Sequence, residues 1–307
     1  MRVVFFGTPE FALPSLEKLR AEGHELSAVV CQPDRPAGRG RVVHPPPTKL
    51  WAQERKIPVL QPERIRDEAF LDELRRLSPD IVVVAAYGKI LPPALLEIPR
   101  FGAVNVHASL LPKYRGAAPV AWALYHGEKV TGVTILRMNE RMDAGDILLQ
   151  RATPIGERET RGELEGRLAQ LGGDALAEVL RALEDGTIRA VPQNEAEATF
   201  APALRKEQGE IDWSRDAFAI DRQIRAFQPW PSAYSWWKGQ RLKILEGLPA
   251  PGEATAPPGT LVSVHPPVVA CGEGRLGLGR VQLEGRKPVT GEEFARGARC
   301  RPGDRLG

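Results

Sequence analysis

Residues 81–86 read Ile81-Val82-Val83-Val84-Ala85-Ala86, an apolar run without a polar face. Strict alternation would mark a strand with one wet side. A continuous β-branched run marks a strand buried on both faces of a parallel sheet. The pattern recurs toward the N-terminus. Arg2–Gly7 and Leu26–Cys31 are strand-like and Val59–Leu60 is a shorter candidate. Between them Pro9–Glu22, Thr48–Lys56 and Asp67–Leu77 have helical spacing, with Phe11, Leu16 and Leu19 recurring along the first. Strands alternating with helices predict βαβ units and a doubly wound α/β domain.

Toward the C-terminus, Val133–Leu136 and Ile147–Gln150 are further strand candidates. A long helix is predicted from Thr160, where Thr160 and Glu163 form a capping box, to about Asp185 before Gly186. The character then changes. Residues 190–208 carry little apolar periodicity and read as a linker, and a helix over about Arg215–Phe227 precedes Pro229-Trp230-Pro231. Short strand-like runs cut by Gly and Pro follow: Ala233–Trp237, Leu242–Leu245, Thr260–Val264, Val268–Cys271, Leu276–Leu278 and Val281–Leu283. They predict a small β-barrel. The expected division is a Rossmann-like domain over 1–189, the linker over 190–208 and a β domain over 209–307.

The 307 residues are 42% hydrophobic and 26% charged, which excludes a disordered chain. No apolar run reaches the roughly 18 residues of a membrane span. The sequence opens on a strand, so no signal peptide is expected. Cys31, Cys271 and Cys300 form neither a metal-ligand spacing nor a disulfide framework, which points to a reducing, cytoplasmic compartment. Residues 1–205 hold 27 Lys/Arg and 27 Asp/Glu, and residues 206–307 hold 15 and 12. The net charge of +3 therefore lies in the last third, compatible with a nucleic-acid contact and equally with an ordinary solvated surface.

The chemistry concentrates in Ala103-Val104-Asn105-Val106-His107-Ala108-Ser109-Leu110-Leu111-Pro112. Side chains two apart on a strand share a face, so Asn105 and His107 point together while Val104 and Val106 point into the core. The strand leads into a loop, Leu111–Gly116, and open α/β sheets place ligands at such ends. A core histidine beside a neighbouring amide is the structural alternative. Asp143, in Met142-Asp143-Ala144-Gly145-Asp146, is the third candidate, although Asp-Ala-Gly alone reads as a turn. Acyl transfer to an amine needs oxyanion donors and a base. An amide, an imidazole and a carboxylate supply them without a metal or a covalent intermediate. Two other readings fail. Gly7-Thr8-Pro9-Glu10 lacks the G-x-G-x-x-G of a nicotinamide-binding turn, and Gly38-Arg39-Gly40 is too short for a phosphate loop.

Asn105, the His107–Pro112 run and Asp143 resemble the signature of the folate-dependent formyltransferase family. Phe6–Ala12, Gln32–Gly40, Tyr114–Pro119, Gly132–Ile135, Asp143–Asp146, Ile211–Trp213 and Arg225–Phe227 extend the resemblance over essentially the whole chain. It narrows to the branch of the family acting on initiator methionyl-tRNA. The resemblance implies a Rossmann-like formyltransferase domain followed by an OB-fold-like barrel that binds tRNA, with 10-formyltetrahydrofolate as formyl donor and no metal. Asn105 and His107 would polarise the formyl oxygen, and Asp143 would orient His107 and help deprotonate the amine. Ser109, Leu110, Leu111 and Pro112 would line the folate site, with the pterin near the end of Ile81–Ala86. A monomer is expected. Formyltransferases acting on a ribonucleotide or an amino sugar, and formyltetrahydrofolate hydrolases, share this chemistry. A non-catalytic RNA-binding protein on the same fold would not need it.

The segment Pro33–Pro47 is rich in Pro and Gly and carries Arg35, Arg39 and Arg41. Arginines on a long aperiodic loop suit phosphates and base edges. By resemblance this loop enters the tRNA acceptor stem, with Arg39 inserted. Trp236 and Trp237 are candidates for stacking on bases, or for the core of the barrel.

Overall fold

β1 (Arg2–Gly7), α1 (Leu13–Ala21), β2 (Glu25–Val30), β3 (Arg35–Ala37) and β4 (Val42–His44) open the chain, followed by α2 (Pro47–Glu54), β5 (Val59–Leu60) and α3 (Glu68–Leu77). Next come β6 (Ile81–Ala85), α4 (Pro93–Leu96), β7 (Ala103–His107), α5 (Pro119–His126), β8 (Val130–Arg137), β9 (Ile147–Pro154) and α6 (Arg161–Glu184). This is a computed structural model, and it describes residues 1–37, 42–250, 252–253 and 256–307. Two units are distinguished: 1–119, 130–154 and 165–202 form the first, and 120–129, 155–164 and 203–307 the second.

The first unit is built on a seven-stranded sheet in the order β5-β2-β1-β6-β7-β8-β9. Its strands are parallel from β5 to β7. The chain winds outward from β1 in both directions, which makes the carboxyl ends of β1 and β6 the topological switch point. β6 is buried at every position, as its sequence requires. Val4, Phe6, Val82, Val84 and Ala103 share one face with Phe70, Leu71 and Leu74 of α3. Each Val, Leu or Phe side chain among them, once fully buried, contributes about 1.5–3 kcal/mol. On the opposite face Gly172 of α6 approaches β7 so closely that a Cβ there would lie 2.6 Å from Val106 Cγ1. The alternation read from the sequence therefore holds: Val104 and Val106 face one side of the sheet, and Asn105 and His107 continue the face of Ala103.

Two features were not expected. β8 runs antiparallel to β7 and β9 antiparallel to β8. Residues 35–44, read as an aperiodic loop, include the antiparallel pair β3 and β4. The aperiodic segment 190–202 is tied to the first unit by backbone bonds, Ile147 with Val191 and Arg115 with both Thr199 and Ala201.

The second unit contains α7 (Ala217–Ala226), β10 (Tyr234–Trp237), β11 (Gln240–Ala250), β12 (Leu261–Val264), β13 (Pro267–Ala270), β14 (Arg275–Leu283), β15 (Val289–Thr290) and α8 (Gly291–Gly297). Its strands form an antiparallel sheet in the order β10-β11-β14-β13-β12, with β15 on β14. The path is open among the described residues, so the expected OB-like barrel takes the form of a half-barrel. The Asp216 side chain accepts from Ala219 N at 2.8 Å and caps α7, whose Ile220 and Ile224 enter a core with Ile211, Trp213, Leu242, Val269 and Leu276. Trp237 belongs to that core, edge-on to Phe294 at 5.6 Å, whereas Trp236 turns outward and donates to Glu210.

Candidate active site

β7 places Asn105 and His107 on one face because a strand repeats every two residues. The connection between β8 and β9, residues 138–146, returns over that face and brings Asp143 to both. Asn105 Nδ2 donates to Asp143 Oδ1 at 3.3 Å, and His107 Nδ1 lies 3.7 Å from Asp143 Oδ2. The three residues singled out in the sequence thus converge. The second amide hydrogen of Asn105 has no protein partner among the described residues and is available to a substrate oxygen.

His107 is only 5% exposed, more enclosed than its position at a strand end suggested. Its Nε2 lies 2.9 Å from the Tyr114 carbonyl. A carbonyl only accepts, so Nε2 carries a proton and Nδ1 is the nitrogen turned to Asp143. This assigns the neutral ring's tautomer by geometry, with Nδ1 facing the Asp143 carboxylate.

The carboxylate is held mainly by backbone. Gly116 N donates to Asp143 Oδ2 at 2.9 Å, the shortest of the three contacts. Asp143 lies at φ 50° and Tyr114 at φ 62°, left-handed conformations that cost non-glycine residues on the order of 1–3 kcal/mol each. Two glycines make the geometry possible. A Cβ at Gly145 would lie 1.7 Å from the Arg137 carbonyl oxygen, and one at Gly116, where φ is 123°, 2.7 Å from that of Ala201.

The loop after β7 is braced from beneath. Thr134 Oγ1 donates to Ser109 O at 2.7 Å and accepts from Leu111 N at 3.1 Å, while Gln150 Nε2 donates to Leu111 O at 2.8 Å. Of the expected folate-lining residues, Ser109 is fully buried with its hydroxyl donated to Lys113 O, and Leu111 is buried as well. Leu110 and Pro112 are the two with surface to offer.

Sequence reasoning missed the support behind Asp143. Gln193 Nε2 donates to the carbonyls of Asp143 and Gly145 at 2.8 and 2.7 Å, and its Oε1 accepts from Arg115 Nη2 and Nε at 2.8 and 3.1 Å. Arg115, 4% exposed, also pairs with Glu195 at 2.9 Å, and that hydrogen bond holds the Glu195 carboxyl below its usual range. Nothing local in the sequence signals contacts so distant along the chain. Thr134 and Gln150 were more accessible, as polar residues in register with each other and with His107.

Of the three arginines, Arg35 lies exposed on β3, while Arg39 and Arg41 fall outside the described residues. The start of their segment is anchored: Lys49 Nζ donates to Asp34 Oδ2 at 2.7 Å and to Gln61 Oε1 at 2.9 Å, and Gln61 Nε2 donates to Asp34 Oδ1 at 2.7 Å. The bonds from Gln61 and then Lys49 keep the Asp34 carboxyl below the ordinary carboxylate range. Among the described residues no cluster of three or more His, Cys, Asp or Glu could hold a metal ion, and no helix is long and apolar enough to cross a membrane.

Residues 1–180 match the formyl transferase family model, and residues 203–299 match the model of the formyl transferase C-terminal domain. The chain belongs to the formyl transferase family. It is 47% identical to the methionyl-tRNA formyltransferase of Geobacter sulfurreducens, over all of this chain and 97% of that one. It is 50% identical to the protein of the same name from Anaeromyxobacter dehalogenans over 97% of each chain, and 45% identical to that of Acetivibrio thermocellus over the whole of both. Among solved structures, an N-formyltransferase from Helicobacter canadensis in complex with folinic acid and dTDP-3-aminofucose superposes with a TM-score of 0.68 at 17% identity, covering 94% of this chain and 99% of that one. HypX from Aquifex aeolicus in complex with tetrahydrofolic acid also gives 0.68, at 18% identity over 96% of this chain. The chain spans about half of HypX, 47% of its length. At these identities the solved structures establish the formyl transferase fold alone.

Proposed function

We propose that the protein transfers the formyl group of 10-formyltetrahydrofolate to the α-amino group of methionyl-initiator tRNA, acting as a cytoplasmic monomer. The observation that carries this reading is the convergence of Asn105, His107 and Asp143 in a formyl transferase chain. The full-length likeness to methionyl-tRNA formyltransferases supports the choice of acceptor.

The amine attacks the formyl carbon, and the carbonyl pair moves onto oxygen. Asn105 Nδ2 and His107 would stabilise that oxygen. Asp143, directly or through water, would receive the proton that the amine loses. The C–N10 bond then breaks and N10 takes a proton, leaving tetrahydrofolate and the formylated amine. The donor would lie against the topological switch point at the ends of β1 and β6, reaching the site past Leu110 and Pro112. Arg35, Arg39 and Arg41 would engage the acceptor stem, and the second unit, with the excess of positive charge, would hold the tRNA body.

The deciding experiment offers labelled 10-formyltetrahydrofolate with methionyl-initiator tRNA, an aminated nucleotide sugar, a ribonucleotide amine or water as acceptors. Label on the tRNA amine supports the proposal, and preference for any other acceptor refutes it. Arg39→Ala tests the loop at subsaturating tRNA. Formylation should fall while folate binding holds, and a wild-type rate would remove the loop from tRNA recognition.

A further inference from the structure

Gln193 lies in a stretch whose sequence suggests only a connection, yet all of its amide's hydrogen-bonding capacity is used. Its two N–H groups go to the carbonyls of Asp143 and Gly145, and its oxygen accepts twice from the Arg115 guanidinium. We propose that Gln193 is a positioning residue for the transfer reaction, fixing the Asp143 turn so that its carboxylate stays against Asn105 and His107. The proposal rests on the catalytic reading of Asp143 given above.

Three observations carry it. Asp143 adopts a left-handed backbone, which a turn keeps only when its surroundings over-determine it. The carboxylate's contacts to Asn105 and His107, at 3.3 and 3.7 Å, are longer than its 2.9 Å bond to Gly116 N and hold it less firmly. Its short contact is to Gly116 N, and the neighbouring Arg115 is the residue that Gln193 grips. One amide thus joins the segment that bears the acid to the segment that binds it. Backbone hydrogen bonds hold Gly116 independently: Arg115 N donates to Thr199 O at 2.9 Å, and Arg115 O accepts from Ala201 N at 2.7 Å. Loss of Gln193 should therefore free the acid's turn while Gly116 stays in place.

The test is a kinetic cycle on the full-length protein with wild type, Gln193→Leu, Gln193→Glu, Asp143→Asn and the double variant Asp143→Asn with Gln193→Leu. A displaced catalytic group commonly costs up to about a hundredfold in rate, so Gln193→Leu should lower kcat by about tenfold to a hundredfold. KM for tRNA and for the folate should stay within about twofold, since the Gln193 amide is spent on protein groups and a positioning role acts on the transfer step. Gln193→Glu keeps an acceptor for Arg115 and loses both donors to the turn. It should lose kcat to the same extent, and it serves as the folded test if the leucine variant melts early. The double variant should be no slower than Asp143→Asn alone, because both changes act through one carboxylate. Wild-type kcat in Gln193→Glu, or an equal further loss on the Asp143→Asn background, would overturn the role of Gln193 alone. Wild-type kcat in Asp143→Asn would overturn the catalytic reading itself, and this proposal with it.

Discussion

β7 and β10 are two short strands, each carrying a conspicuous pair of side chains, and the pairs have opposite fates. Asn105 and His107 are two apart, share a face and meet the same carboxylate. Trp236 and Trp237 are adjacent and therefore face opposite ways. Trp237 closes the core against Phe294, and Trp236, 36% exposed, is bound to Glu210 at 2.9 Å. Spacing two gathers chemistry on one surface, whereas spacing one divides a pair between core and solvent. The polar pair meets one shared third group, whereas the two tryptophans meet separate partners, one in the core and one at the surface.

The largest effect expected from this contrast is on stability at β10. Trp237→Ala should destabilise the second unit by about 3–5 kcal/mol, as loss of a large buried aromatic does. Chemical denaturation would measure it, and a change below about 1 kcal/mol would mean that the ring is not part of the core. Next is His107→Ala at β7. Removing an oxyanion donor should lower turnover about 10²–10³-fold, with a smaller loss of stability than at Trp237. Near-normal turnover would reduce the β7 pair to packing as well.

Gly145→Ala sharpens the comparison at the third group. With a Cβ 1.7 Å from the Arg137 carbonyl, the turn must shift, at a cost of about 1–3 kcal/mol. Turnover should fall with it, and an unchanged melting temperature with full activity would show that the turn is not fixed. The smallest effect belongs to Trp236→Phe, which removes one half-exposed hydrogen bond worth about 0.5–1 kcal/mol and should leave formylation unchanged. A marked fall in tRNA affinity for Trp236→Ala beside an unchanged Trp236→Phe would assign this exposed ring to base stacking.

Legibility in the sequence followed the range of the interaction. The β-branched run of β6, the capping box at Thr160 and the shared face of Asn105 and His107 are local, and they appear in the structure as the spacing implies. Register over longer distances was less visible. Leu276–Leu278 and Val281–Leu283 looked like two strands, because Gly279 and Arg280 interrupt the apolar pattern. They form the single strand β14, whose register slips against β11 near Glu246. The Asp143 turn was legible as a turn, but its support by Gln193, 50 residues away, has no periodic signature. The antiparallel return of β8 and β9, which carries Asp143 over β7, was equally hidden, since strand direction leaves no mark in composition.

The account turns on Asp143 as the charged partner of His107. Its most direct test is single-turnover transfer of labelled formyl from 10-formyltetrahydrofolate to methionyl-initiator tRNA by Asp143→Asn beside wild type, with folate binding measured on the same preparations. Asparagine keeps the size and loses the charge and the basic oxygen, so transfer should slow by about 10²–10⁴-fold while folate binding changes little. Transfer at the wild-type rate would contradict the account, leaving Asp143 a turn residue and the convergence on β7 without a catalytic meaning.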